Sequence, residues 1–144
     1  MENESRKLAK IIMILTGEKI IVNSNVQNIE SFLIDSNNIE KLLPTDKVSN
    51  FESDQNACSF KVQGGITISL VQDGKENGKI YLKSGEKSPF PFKLTIHLNP
   101  IEEGKTEGYI EFDGEVNAFL KMMVEKPLLN LFNYMANKLS KQFS

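Results

Sequence analysis

His97 is the chain's only histidine and Cys58 its only cysteine. One imidazole and one thiol cannot build a two-His or thiolate metal cage. The local pattern places them on opposite faces of their strands, so no transition-metal centre is expected. General-base work by His97 needs a positioned partner in a cleft. Its neighbours in the alternation, Thr95 and Lys93, face solvent, so it reads as a surface histidine. Cys58 shares an inward register with Phe60 and Val62, which makes it a small buried hydrophobe rather than a nucleophile. Tyr81, Tyr109 and Tyr134 are the remaining groups that could place a hydroxyl in an apolar space. The register points Tyr81 and Tyr109 outward, although a one-residue bulge would reverse that. Asp73-Gly74 with Glu76, and Glu102-Glu103, lack calcium-loop spacing and read as solvated turns. Gly64-Gly65 lacks the Lys and Ser/Thr of a phosphate-cradling loop and reads as a bend or bulge. Ser88-Pro89-Phe90-Pro91-Phe92 is either a gate at a cavity mouth or an edge-of-sheet turn. No catalytic set emerges, and no cofactor is expected.

The elements that position these residues are legible from period. Glu18–Val22 is rich in β-branched residues and predicts a first strand, with a start inside Ile11–Leu15 left open. Ser24 with Gln27 has the spacing of a capping box. A short amphipathic helix follows through Val26, Ile29, Phe32 and Leu33 to about Asp35, and a second through Ile39, Leu42 and Leu43 is ended by Pro44. From Val48 the period becomes two. Strands are predicted around Phe51, Phe60, Ile68, Ile80, Leu94 and Ile110, with turns at Ser53–Asn56, Gly64-Gly65, Asp73-Gly74 with Asn77-Gly78, Gly85–Pro91 and Glu103-Gly104. Asn117 then caps a long helix to Phe143. Its apolar stripe runs Leu120, Val124, Leu128, Leu131, Met135, Leu139, widened by Phe119, Met123 and Phe132. Pro127 inside that helix should kink or interrupt it, because it cannot donate to the carbonyl of Met123. Short connections between alternating strands predict an antiparallel meander whose dry face the terminal helix covers.

The bulk properties narrow the class. At 144 residues a single domain is expected over 1–144, with 1–15 an N-terminal extension or the start of the first strand. A net charge of -2 argues against nucleic acid as a partner. No apolar run is long enough for an integral membrane span. Arg6–Lys10 before Ile11–Leu15 lacks a cleavage pattern and reads as a strand or loose extension; a weak membrane-surface contact is the alternative. Cysteine usage fits a cytoplasmic protein, and a homodimer is left open.

The order of elements, with particular motifs, resembles the START/Bet v 1-like superfamily (SRPBCC, or polyketide cyclase-like). The motifs are Ile20-Ile21-Val22-Asn23-Ser24, Val26–Phe32, the Leu42-Leu43-Pro44 ending of Asn37–Pro44, and Phe119–Leu128. The likeness runs from about Thr16 to the terminal helix. It implies an α+β helix-grip fold: a curved antiparallel sheet wrapped around the C-terminal helix, two short helices closing one end, and an elongated apolar cavity between. Members bind lipids, sterols, polyketides or plant hormones; some are cyclases or hydroxylase subunits, and some modulate chaperones. Fold alone does not choose among these.

The expected function is non-catalytic binding or transport of a hydrophobic small molecule or lipid. Its expected lining is Phe60, Val62, Ile68, Leu70, Leu82, Phe92, Leu94, Ile96 and Phe112 from the strands, and Phe119, Met123 and Phe132 from the helix. Ile80, Ile110 and Met135 share the inward faces. Phenylalanine and methionine suit an adaptable apolar pocket, yet the same faces suit a closed dry core. The alternatives are a cyclase/dehydratase-like enzyme and a protein-interaction module with a filled core.

Overall fold

A computed structural model describes residues 9–144, so Arg6 and Lys7 of the N-terminal basic stretch lie outside the described residues. The strands are β1 (Ile11–Thr16), β2 (Ile20–Val22), β3 (Val48–Ser53), β4 (Ala57–Val62), β5 (Ile66–Glu76), β6 (Lys79–Ser84), β7 (Phe92–Glu102) and β8 (Lys105–Val116). They form one antiparallel sheet in the order β1-β8-β7-β6-β5-β4-β3, and β2 continues beside β8. Helix α1 (Val26–Leu33) and a 3-10 helix (Ser36–Leu42) follow β2, and helix α2 (Ala118–Gln142) closes the chain. The sheet's apolar face and the buried side of α2 share one core.

The expected first strand is divided. Ile11–Leu15 belongs to β1, with Met13 and Leu15 buried; Gly17 still donates to Ile110 O at 2.8 Å, and the ladder is interrupted at Glu18-Lys19 before resuming in β2. The break has a local cause. Asn133 on α2 reaches the gap and accepts from the N–H of Glu18 at 2.8 Å through its side-chain oxygen. A Cβ at position 17 would stand 3.2 Å from that oxygen, so glycine gives the amide room.

Asn25, not Ser24, caps α1: its Oδ1 accepts from the N–H of Asn28 at 2.8 Å. Ser24 stands one residue before the cap, and its carbonyl accepts from Thr106 Oγ1 at 2.8 Å. Asp35 likewise caps the 3-10 helix. Leu43 ends it in extended conformation, as the residue before a proline prefers. Asp73-Gly74 is not a turn. It is a bulge inside β5, with the register shifting between Gln72 and Lys75. The turn is at Asn77-Gly78 alone, where Gly78 has φ +79 and a Cβ would meet Leu98 O at 2.7 Å.

Asn117 caps α2 through Oδ1 on the N–H of Leu120 at 2.8 Å. Val124, Leu128, Leu131, Phe132, Met135, Ala136 and Leu139 are buried, but Phe119 and Met123 are 69% and 48% exposed. A rotation of about 100° per residue explains the difference. Phe132 and Ala136 widen the buried stripe on one flank, whereas Phe119 and Met123 lie on the other. Helix α2 runs unbroken through Pro127, so the proline deletes a bond without interrupting the helix.

The capping assignment has a direct check in urea unfolding. Asn25→Ala should lose about 1 kcal/mol, whereas Ser24→Ala should change stability by less than about 0.5 kcal/mol. Equal losses would return the cap to Ser24.

Candidate ligand-binding site

Every strand residue expected to line a cavity is buried: Phe60, Val62, Ile68, Leu70, Leu82, Phe92, Leu94, Ile96 and Phe112. So is Phe132, while Phe119 and Met123 leave the set because they face outward. Burial does not bring the remaining residues round one large space. Phe92 and Phe112 stack at 4.9 Å, and Phe132 lies 5.4 Å from Phe112. Phe90, from the Gly85–Pro91 connection, fits against both at 6.0 and 6.2 Å and is 5% exposed. Phe60 stacks on Phe51 at 6.4 Å, and Ile68 is fully packed. Aromatic mass therefore fills the middle of the grip.

An apolar cavity of about 30 Å³ remains under α1 and the 3-10 helix, room for roughly one or two water molecules. Leu70, Leu82, Leu94 and Ile96 of the expected set line it. The sequence reading missed Leu33, Leu42, Leu98, Ala136 and Leu139, and above all Gly108. Gly108 takes an inward position on β8 and contributes no side chain to fill it. The polar atoms near this end are paired. Gln72 Nε2 donates to Leu33 O and Ser36 Oγ, each at 3.1 Å, and Lys75 meets Glu30 at 3.0 Å. The bulge in β5 aims those two side chains at the short helices.

A larger space opens at the side of α2, a cleft of about 530 Å³. Pro44, Asp46, Lys47, Val48, Val62, Gln63 and Gly64 form one wall, and Pro127, Asn130, Leu131 and Tyr134 the other. Pro44, Val62 and Leu131 are buried at its base, while Asp46, Lys47, Asn130 and Tyr134 stand exposed at the rim. This size lies in the range of small-molecule sites, roughly 300–1,000 Å³. Of the expected residues only Val62 belongs to it. Its sequence signals were Pro44, Gly64-Gly65 and Pro127, which read separately as a helix end, a turn and a kink. A hollow of about 590 Å³ beside the β7–β8 hairpin is shallower, and its lining is largely loop and exposed strand ends. The cleft is preferred because its base is core.

His97 differs from expectation in having partners. Its Nε2 lies 3.1 Å from Glu111 Oε1, and its ring stacks on Tyr109 at 4.4 Å. His97 lines neither the cavity nor the cleft, whereas Tyr109, beside Gly108 on β8, is part of the cavity's lining. Tyr81 also faces outward; donating to Glu76 raises its pKa above the usual phenol value. Lys87 holds the exposed Glu52 carboxyl below its ordinary value. Burial, reinforced by Asp54, pushes the Cys58 thiol up to about 12. Among the described residues no cluster of His, Cys, Asp or Glu could hold a metal. No helix there is long and apolar enough to cross a membrane.

A curved sheet gripping a terminal helix, with two short helices at one end, defines a helix-grip protein. The chain has the START/Bet v 1-like fold. Norcoclaurine synthase from Thalictrum flavum, solved with dopamine and hydroxybenzaldehyde, superposes with TM-score 0.68 at 15% identity, over 95% of this chain and 89% of that one. A START superfamily protein from Mycobacterium smegmatis gives 0.69 at 10% identity, over 90% and 96%. The Zhui aromatase/cyclase from a Streptomyces species gives 0.65 at 14%, over 93% and 97%. No family model matches the sequence, and no curated protein matches it. The likeness is one of fold.

Two measurements test this description of the interior. Cys58 should resist a disulfide-exchange reagent at pH 8, where a thiol titrating near 12 is ionised in roughly one molecule in 10⁴. Labelling as fast as in the unfolded chain would place Cys58 outside the core. Gly108→Ala should raise stability by about 0.5–1 kcal/mol, because a Cβ there meets its neighbours no closer than 3.4 Å and glycine weakens a strand. A loss in calorimetry would mean that the cavity wall has no such room.

Proposed function

We propose that the protein binds a hydrophobic small molecule or lipid in the space between sheet and terminal helix, without catalysing a reaction on it. The observation that carries this reading is the cleft at α2, whose base of Pro44, Val62 and Leu131 is continuous with the core. An apolar body seated there is driven by burial, roughly 25 cal/mol per Å². Gln63, Asn130 and the Tyr134 hydroxyl at the rim supply donors and acceptors that orient a polar end. The small-molecule complex of the norcoclaurine synthase supports the use of this fold for ligand binding. A single buried free thiol is compatible with the cytoplasmic setting that this reading assumes.

A cyclase or dehydratase needs an acid or base aimed into an apolar space with a shifted pKa. Asp46, Lys47 and Tyr134 of the cleft stand at its wet rim, and the groups with shifted values, Glu52, Cys58 and Tyr81, lie outside it. Binding is therefore the better reading. The interaction-module reading draws on another observation, the exposed flank of Phe119, Met122 and Met123 on α2.

Native mass spectrometry of the purified protein, followed by organic extraction, should find a stoichiometric apolar ligand, and readdition of that ligand should raise Tm. Asn130→Trp, on the exposed wall of the cleft, should abolish the rise while leaving the Tm of the free protein nearly unchanged. Ligand-free protein whose Tm no fatty acid, sterol or flat aromatic raises would end the binding reading in favour of the interaction module.

A further inference from the structure

Among the described residues the sheet has two free edges, β1 and β3, and the sequence treats them differently. The β3 edge is blunted. Its register shifts between Ser49 and Glu52, Asn50 takes φ +56, and Glu52 is ion-paired to Lys87. Bulges and charges of this kind keep an exposed edge from pairing with another chain. The β1 edge has neither. Ile11-Ile12-Met13-Ile14-Leu15-Thr16 holds no charge, proline or glycine, and it pairs with β8 in unbroken register.

The ladder fixes what β1 offers. Gly17 donates to Ile110 O, and hydrogen-bonded pairs recur at every second residue, so Leu15, Met13 and Ile11 turn their backbone groups to β8. Ile12, Ile14 and Thr16 therefore turn theirs to the free edge, where no described strand meets them. The same segment exposes apolar side chains. Ile12 is 66% exposed and Ile14 61%, with Ile11 and, on β2, Ile21 exposed beside them. On α2, Met122 is 84% exposed and lies within about 20° of the side that carries Asn133, the residue that reaches the junction of β1 and β2.

We propose that β1 is a dimerisation edge: a second copy of the chain adds its own β1, antiparallel, across a two-fold axis. The outward backbone groups fix the parity, because Ile12, Ile14 and Thr16 must face the same set on the second copy. One such register sets Ile12 opposite Ile14 of the second copy and Ile14 opposite its Ile12, with Met13 at the axis. It joins β-branched side chains across the strands on the outer face, a favourable cross-strand pairing. The exposed surface of Ile11, Ile12, Ile14, Ile21 and Met122 is on the order of 500 Å² per copy, which matches the apolar share of a standard interface burying roughly 800 Å² per partner. Charge does not oppose the pairing. Glu111, Asp113 and Glu115 lie on β8 opposite Thr16, Ile14 and Ile12. The acidic rows of the two copies then stand three strand spacings apart, about 14 Å, beyond the screening length of about 8 Å at physiological salt. Two-fold pairing uses β1 of both copies and the blunted β3 offers no second edge, so the assembly closes at two. The cleft lies against β3 and β4 at the opposite edge, and the dimer leaves it open.

Sedimentation velocity of the full chain across the micromolar range should show a monomer–dimer equilibrium. Ile12→Lys and Ile14→Lys, both at exposed side chains, should each weaken the dimer about tenfold or more while leaving the Tm of the monomer nearly unchanged. Met123→Lys, one residue and about 100° round α2 from Met122, should leave the dimer intact. Amide exchange read by NMR should protect Ile12, Ile14 and Thr16 in proportion to the dimer fraction. A chain that stays monomeric overturns the proposal, as does a dimer that survives both β1 variants or is lost equally with Met123→Lys. Association that continues past two copies overturns it as well. So does a dimer in which the amides of Ile12, Ile14 and Thr16 exchange as freely as in the monomer, since its copies would then meet by side-chain packing and not by strand pairing.

Discussion

The Phe112 ring is where sheet, loop and terminal helix meet. It projects from β8, which also pairs with β1, β2 and β7, so its position is fixed by the most heavily paired strand in the sheet. Its ring touches Phe92 of the next strand, Phe90 of the connection and Phe132 of α2. Gly114 makes the arrangement feasible, since a Cβ there would come within 2.8 Å of the Phe112 ring. Remove that packing and the loop has no seat, while the middle of α2 loses the surface that holds it against the sheet.

The same packing explains why the grip encloses so little empty space. A buried phenylalanine contributes roughly 2 kcal/mol or more, so Phe60, Phe90, Phe92, Phe112 and Phe132 together supply on the order of 10 kcal/mol, comparable to the whole net stability of a domain. Here the volume between sheet and terminal helix is largely taken up by the chain's own side chains. A ligand reaching the interior must displace packing rather than fill a void. The cleft beside Pro127 is different: no side chain occupies it, and it requires no such exchange.

Most of the architecture was legible in the chain because its strands alternate cleanly and its caps are polar side chains at helix starts. Asn117 and the run from Phe92 to Leu98 are examples. What could not be read depended on contacts distant in sequence. The interruption between β1 and β2 falls where Asn133, more than a hundred residues away, takes the N–H of Glu18, and the cap of α1 falls on Asn25 rather than on Ser24, whose carbonyl Thr106 holds from β8. Periodicity correctly placed Phe119 on an apolar helix but could not say which flank the sheet covers. The strand lining is buried throughout, but only Leu70, Leu82, Leu94 and Ile96 border the cavity and Val62 the cleft, because alternation reports which way a side chain points and not whether the opposite side already fills the space. Phe90 was seen only as part of an unusual loop, since nothing in Ser88–Phe92 encodes the ring cluster it enters.

The two ends of the interior are closed by different physics. At the end of the short helices the closures are polar and directional: Gln72 on Leu33 and Ser36, Lys75 on Glu30, Thr106 on Ser24, and Ser140 on the carbonyl of Ile21 at 2.6 Å. Opening there breaks several hydrogen bonds at once, and the partly buried Glu30 would lose its ion-pair partner. At the Phe112 end the Gly85–Pro91 connection is hydrogen-bonded at its two ends, and its middle is held by the contact of Phe90 with Phe92 and Phe112. The residual cavity under the helices is small and apolar, formed where Gly108 leaves a gap. The open part of the molecule is the flank of α2 around Pro127. Two of the chain's prolines, Pro44 and Pro127, line that flank on opposite walls, each with its φ fixed and with no N–H to be satisfied there.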